Sequence, residues 1–125
     1  MTARSGGGIG RADWRRFEAV KARAVDRHCQ RALDDAATLA ARPRAAHDDP
    51  EAADADAAAR FEELDRLVRE RQREIAPALD GHSRSRAWLQ LAHLARLGLL
   101  EEEDVAGFSA ELREVIARAR AASSA

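Results

Sequence analysis

The sequence is poor in the residues that build β-sheets and disulfide-rich domains. Its 125 residues include one cysteine, no tyrosine, two tryptophans and three phenylalanines. A single cysteine excludes an internal disulfide framework, and the scarcity of Tyr, Val, Ile and Thr disfavours strands. The three prolines and seven glycines fall near proposed helix ends or in tails. These absences favour an all-α fold.

Long hydrophobic runs are also missing. The N-terminal stretch MTARSGGGIGRADW has no apolar core of a signal peptide, and no later run approaches the length of a membrane span. The net charge of −1 excludes a polycation or an acidic tail protein. We therefore expect a soluble, cytoplasmic protein with no membrane partner.

Alanine is the most abundant residue, with 30 alanines against twelve leucines. Alanine favours helices but buries little surface. Such helices must pack closely, and self-association would bury more apolar surface.

The apolar periodicity predicts an antiparallel four-helix bundle over residues 13–122, with two long helices followed by a shorter helical hairpin. Residues 1–12 form a flexible Gly-rich tail and 123–125 a second tail. The first long helix begins near Asp13 and stops before Pro43. The second begins at Asp49-Pro50 and ends or kinks at Pro77, with Gly81 closing the turn. Its predicted buried stripe comprises Ala57, Phe61, Leu64, Val68, Ile75 and Leu79.

The hairpin over residues 83–108 raises the possibility of a DNA-binding helix-turn-helix. Its first helix is predicted from Arg84 to Leu97 with Ser83 as cap, and Gly98 provides a left-handed stop. Four consecutive acids, residues 101–104, open the last segment and would face phosphates in a DNA complex. We therefore predict a packing hairpin. The periodicity leaves open whether the last segment is one helix or is broken near Gly107.

One face of the first helix is basic, comprising Arg16, Arg23, Arg27 and Arg31. It could contact nucleic acid, or it could be a solvated face that meets the acidic second helix or an acidic partner. Twenty of the 21 basic residues are arginine, which together with the alanine excess is typical of GC-rich coding sequences. No exposed aromatic series accompanies the arginines for base stacking. We therefore do not expect nucleic acid as the main partner.

Catalytic and metal-binding patterns are not found in the sequence. None of the four histidines, His28, His47, His82 and His93, follows a Glu at the helical spacing of a di-metal site or pairs with another His. The carboxylates fall in solvated runs, and Ser83, Ser85 and Ser109 are typical of helix caps. We predict no cofactor, no metal and no enzymatic activity, with His28 in the core and Cys29 as a small apolar residue.

The third predicted helix is apolar beyond one face. Leu89, His93 and Leu97 lie opposite its main stripe, so either neighbouring helices cover them or they form an interface. We predict an interaction, adaptor or regulatory protein without catalytic activity that assembles as a homodimer or binds another protein. A nucleic-acid-binding accessory protein using the arginine face is the alternative.

Overall fold

The computed structural model describes the backbone of residues 9–43 and 50–124 and the side chains of residues 9–43 and 56–123. The predictions made for residues 1–8, for 44–49 with the Asp49 cap, and for residue 125 lie outside the described residues. Within them the chain forms helices and no strand, which confirms the all-α fold; the antiparallel four-helix bundle stays a prediction. The five described helices are α1 (Arg11–Ala41), α2 (Pro50–Leu79), α3 (Ala87–Arg96), α4 (Glu102–Ala106) and α5 (Ala110–Ser124).

The chain divides into two compact units. Unit 1 comprises Met1–His28 and Ile75–Ala125, and unit 2 comprises Cys29–Glu74. Every buried side chain among the described residues belongs to unit 1. The prediction of a single domain over residues 13–122 stays a prediction.

The core of unit 1 is built from apolar residues of α1, the end of α2, α3 and α5 and from the loops beside them. His28 is also buried, at 7% exposure, as predicted from its place on the apolar stripe. Ile9, which the sequence assigned to the tail, is buried, and its backbone N–H donates to the Arg84 carbonyl at 3.3 Å. The fully buried large apolar side chains are Phe17, Val20, Leu91, Leu94, Leu99, Leu112 and Ile116.

Two glycines end helices where the sequence placed them. Gly81 and Gly98 have φ angles of 84° and 72°, in the left-handed region that glycine adopts without strain. The predicted start of the third helix at Arg84 is wrong. Residues 84–86 form a turn, and α3 begins at Ala87 with Arg86 rather than Ser83 at the cap position.

The end of α2 is held by a buried glutamine. The helix continues past Pro77 to Leu79. Gln90, 2% exposed, donates its side-chain amide to the carbonyls of Pro77, Asp80 and Gly81 at 3.4, 3.2 and 3.1 Å. The carbonyls at the end of a helix lack partners within the helix, so Gln90 supplies a donor where the chain turns towards α3.

The last segment is broken, which answers the question that the periodicity left open. Residues 107–109 separate α4 from α5. The Ser109 hydroxyl accepts the Leu112 N–H at 3.4 Å, and the Ser109 N–H donates to Asp13 Oδ1 at 3.0 Å. Ser109 is therefore a helix cap, as predicted.

Unit 2 is an antiparallel pair of helical segments. Asp35 pairs with Arg71 at 3.5 Å, and Arg42 pairs with Glu63 at 3.0 Å, so rising residue numbers in α1 meet falling numbers in α2. Arg60 adds hydrogen bonds to the carbonyls of Arg42 and Pro43. These polar contacts join the two segments without burying any described side chain of the unit.

Candidate interaction surfaces

Three of the four predicted basic-face arginines bind the segment that opens α4. Arg23 Nη2 lies 2.8 Å from Asp104 Oδ1, and Arg27 Nη1 lies 2.8 Å from Asp104 Oδ2. Arg27 also donates to the Leu99 carbonyl at 2.8 Å and to Glu101 Oε1 at 2.9 Å. Arg16 donates to the carbonyls of Glu103 and Asp104 at 2.8 and 3.3 Å. Arg31 belongs to unit 2.

Asp104 is the centre of this arginine cluster. Its side chain is 3% exposed, and its Oδ2 accepts the Glu101 backbone N–H at 3.0 Å. Burial by itself would raise the pKa of Asp104. The hydrogen bonds from Arg23, the Glu101 N–H and Arg27 outweigh burial and hold that pKa at about 2, below the ordinary 3.8. The carboxylate is therefore ionised and stabilises unit 1 at neutral pH.

Gly107 has no side chain, and the Arg16 guanidinium occupies the space where a side chain would lie. A Cβ atom built at Gly107 would overlap the Arg16 guanidinium, which also lies 5.9 Å from the centre of the Phe108 ring. Arg16, Arg23 and Arg27 therefore have acceptors within the chain. The acceptors of these three arginines belong to the α4 segment, whereas the sequence suggested the acidic second helix or an acidic partner.

The residues predicted as an interface on α3 do not form one exposed patch. Leu89 is 46% exposed, whereas His93 and Leu97 are only partly exposed, and Leu97 packs against the core of unit 1. A single exposed leucine is ordinary on a protein surface. Their role as an interface stays a prediction.

The two most exposed large apolar side chains of the described residues belong to unit 2, with Phe61 at 74% and Leu33 at 63%. Val68 of the same unit is 43% exposed, against 51% for Leu79 and 46% for Leu89 in unit 1.

The predicted buried stripe of the second long helix is wrong for four exposed members, Ala57, Phe61, Val68 and Leu79. It is confirmed for Ile75, which is buried, and Leu64 is partly buried. The α1 segment covers the side of α2 that bears Glu63, Leu64, Leu67 and Arg71, so the stripe of Phe61 and Val68 lies beside the helix contact rather than in it.

The exposed Leu33, Phe61 and Val68 lie on one face of the helical pair. Ala40 of α1 lines a shallow groove with Ala57, Phe61 and Leu64 of α2, so these residues share a side of unit 2. Leu33 precedes Ala40 by seven residues and Val68 follows Phe61 by seven. Seven residues are close to two helical turns, which keeps each pair on the same side of its helix. We call Leu33, Ala40, Ala57, Phe61 and Val68 the hairpin face.

Other kinds of site find no support in the described residues. Among the side chains of residues 9–43 and 56–123, no three of His, Cys, Asp and Glu converge in a way that could hold a metal ion. Within the part of the chain that the structure describes, no helix is both long and apolar enough to cross a membrane. His82 contacts Glu18 at 3.3 Å and the Trp14 ring, in an exposed arrangement on unit 1.

Comparison of the chain with protein families, with curated proteins and with solved structures gives no match.

Proposed function

We propose that the chain is a small helical interaction protein without catalytic activity, with an adaptor or regulatory role, which associates with itself through the hairpin face. The observation that supports the proposal is the exposure of Leu33, Phe61 and Val68 on one side of a helical pair. Helices in proteins owe most of their stability to the packing of an apolar side. Unit 2 has no buried side chain among its described residues, and a second copy would supply the missing packing.

The expected affinity follows from the exposed fractions of these three side chains. Burying a large apolar side chain fully contributes about 1.5–3 kcal/mol. Covering the exposed parts of Leu33, Phe61 and Val68 in both copies would then contribute about 5–11 kcal/mol. Association costs about 4–15 kcal/mol, so the net binding energy is at most about 7 kcal/mol. We expect a reversible dimer with a dissociation constant of about 10 µM or weaker.

The proposal includes two further parts that rest on the sequence. One is the antiparallel bundle, which the opposed directions of α1 and α2 in unit 2 support. The other is a cytoplasmic location. The arginine face does not favour the nucleic-acid alternative, because Arg16, Arg23 and Arg27 donate to acceptors of the α4 segment.

The test is light scattering after size exclusion at loading concentrations from about 1 µM to about 1 mM. Phe61→Ser should shift the chain towards monomer, because it removes the largest exposed apolar side chain of the hairpin face. Glu70→Ser is the matched control. Glu70 is exposed on the opposite side of α2, nine residues after Phe61, and its replacement should leave the dimer unchanged.

A third variant separates the hairpin face from the surface predicted on α3. Leu89→Asp should leave the mass unchanged if self-association uses the hairpin face. A dimer that is lost in Leu89→Asp and kept in Phe61→Ser would move the interface to α3. A monomer in the unmodified chain at every concentration would refute self-association altogether.

A further inference from the structure

We infer that two copies pair antiparallel along α2, with the acidic end of one hairpin face against the basic end of the other. The inference rests on the proposed self-association and adds the partner segment and its direction. The side chains that carry it are Phe61, Val68 and the charges beside them.

The charges along the outer edge of the hairpin face change sign at its middle. Glu62 and Asp65 come first, and Arg66, Arg69 and Arg73 follow, all of them exposed. Glu62 and Arg69 are seven residues apart and therefore lie on the same side of α2, next to Phe61 and Val68 respectively. The edge is acidic beside Phe61 and basic beside Val68.

This order distinguishes the two directions in which a second copy could bind. Reversing one α2 about a point between residues 65 and 66 places Glu62 opposite Arg69 and Arg69 opposite Glu62. A two-fold axis makes both contacts at once, because an isologous interface repeats every pair. A parallel copy would place Glu62 against Glu62 and Arg69 against Arg69, and like charges in register oppose association. Charge therefore favours the antiparallel pair.

The same antiparallel arrangement also covers exposed apolar side chains. Phe61 of each copy comes to lie near Val68 of the other copy, so the two contacts bury the Phe61 ring of both copies. Within one chain Arg69 already pairs with Asp65 at 3.0 Å, in a contact where both side chains are largely exposed. Such exposed pairs contribute about 1 kcal/mol or less, and Arg69 can exchange this partner for Glu62 at little cost.

The first test reverses the charges and measures the dimer dissociation constant by sedimentation. Glu62→Arg and Arg69→Glu should each weaken the dimer about five- to tenfold, since each turns two attractive contacts into repulsive ones. The double variant should recover most of the affinity. Glu70→Arg, on the opposite side of α2, is the control. Circular dichroism confirms that each variant keeps its helices. Single variants with unchanged affinity would overturn the antiparallel pairing.

The second test uses cysteines in a Cys29→Ser background. Asp65→Cys lies near the predicted two-fold axis and should form a disulfide with its own copy on oxidation. Ala58→Cys is on the same side of α2 but would lie about 22 Å from its copy along the antiparallel helices, so it should not cross-link. Cross-linking through both positions would indicate parallel helices, and cross-linking through neither in a dimer would indicate another contact. Either result overturns the inference, whereas the response of Phe61→Ser tests the proposed function separately.

Discussion

Replacing Asp104 by Asn tests whether the arginine cluster stabilises unit 1 through charge. Asn keeps the size and one acceptor oxygen of the side chain but loses the negative charge between Arg23 and Arg27. The pKa of Asp104 is about 2 in the folded chain against an ordinary 3.8. Since each pKa unit corresponds to about 1.4 kcal/mol, the charge contributes about 2 kcal/mol to the free energy of unfolding at neutral pH.

The contribution of the Asp104 charge to the free energy of unfolding decreases at low pH. The folded-state pKa lies below the ordinary value, so the contribution is complete above about pH 5 and decreases as the pH falls through 4 towards 2. The difference between the unmodified chain and Asp104→Asn should be about 2 kcal/mol at pH 7 and about half of that at pH 3. Arg23 is 51% exposed and can turn to water, which keeps the loss at the lower end of the range for broken buried pairs.

Urea denaturation followed by tryptophan fluorescence reports the unfolding of unit 1, because Trp14 and Trp88 both belong to that unit. Glu102→Gln is the matched control. Its carboxylate pairs with Arg120 at 3.2 Å but is 89% exposed, so its loss should be below about 0.5 kcal/mol. If Asp104→Asn unfolds at the same urea concentration as the unmodified chain at pH 7, or if its deficit does not change with pH, the charge is not what stabilises the cluster.

Two further predictions concern packing. Gly107→Ala should destabilise unit 1 by about 1–2 kcal/mol, because the new methyl group displaces Arg16 from the Glu103 and Asp104 carbonyls. Gly10→Ala, where a Cβ meets nothing within 4 Å, is its control, and equal melting temperatures for the two variants would contradict the prediction. Phe17→Ala should cost about 3–5 kcal/mol in urea unfolding, since Phe17 is fully buried. Phe61→Ala, from a ring that is 74% exposed, should cost under about 0.5 kcal/mol at concentrations where the chain is monomeric, and comparable losses at the two positions would contradict the burial assigned to them.

Helix content and several helix ends could be predicted from the sequence because their signals are local, although the start of α3 was predicted at the wrong residue. Gly98 stops α3 through its own backbone freedom, and Ser109 caps α5 through a hydrogen bond to a residue three positions away. The sequence also predicted His28 in the core, and its side chain is buried. Such features depend on a residue and its close neighbours in the chain.

The arginine cluster could not be predicted, because its partners are distant in sequence. Asp104 pairs with Arg23 across 81 positions, and within the acidic run 101–104 nothing marks it as the buried member. The sequence suggested that the arginine face could meet the acidic second helix or an acidic partner, and it did not suggest the α4 segment. The apolar periodicity does not tell which of several acidic segments packs against α1, so it could not identify the α4 segment as the partner of the arginines.

The exposure of the hairpin face was missed for a related reason. Periodicity places Phe61 and Val68 on one stripe of α2, and this is correct, but it does not say whether a neighbouring helix covers that stripe. In unit 2 the ion pairs of Glu63 and Arg71 turn a different side of α2 towards α1. An apolar stripe that its own chain leaves open has the same sequence pattern as one buried in a core.

Sedimentation equilibrium of the unmodified chain is the most direct measurement of whether the hairpin face joins two copies. The average mass should rise with concentration from the 13.7 kDa of one chain towards twice that value. Phe61→Ser should stay near the single-chain mass over the same range. An unmodified chain that remains at 13.7 kDa up to about 1 mM would contradict self-association through Leu33, Phe61 and Val68.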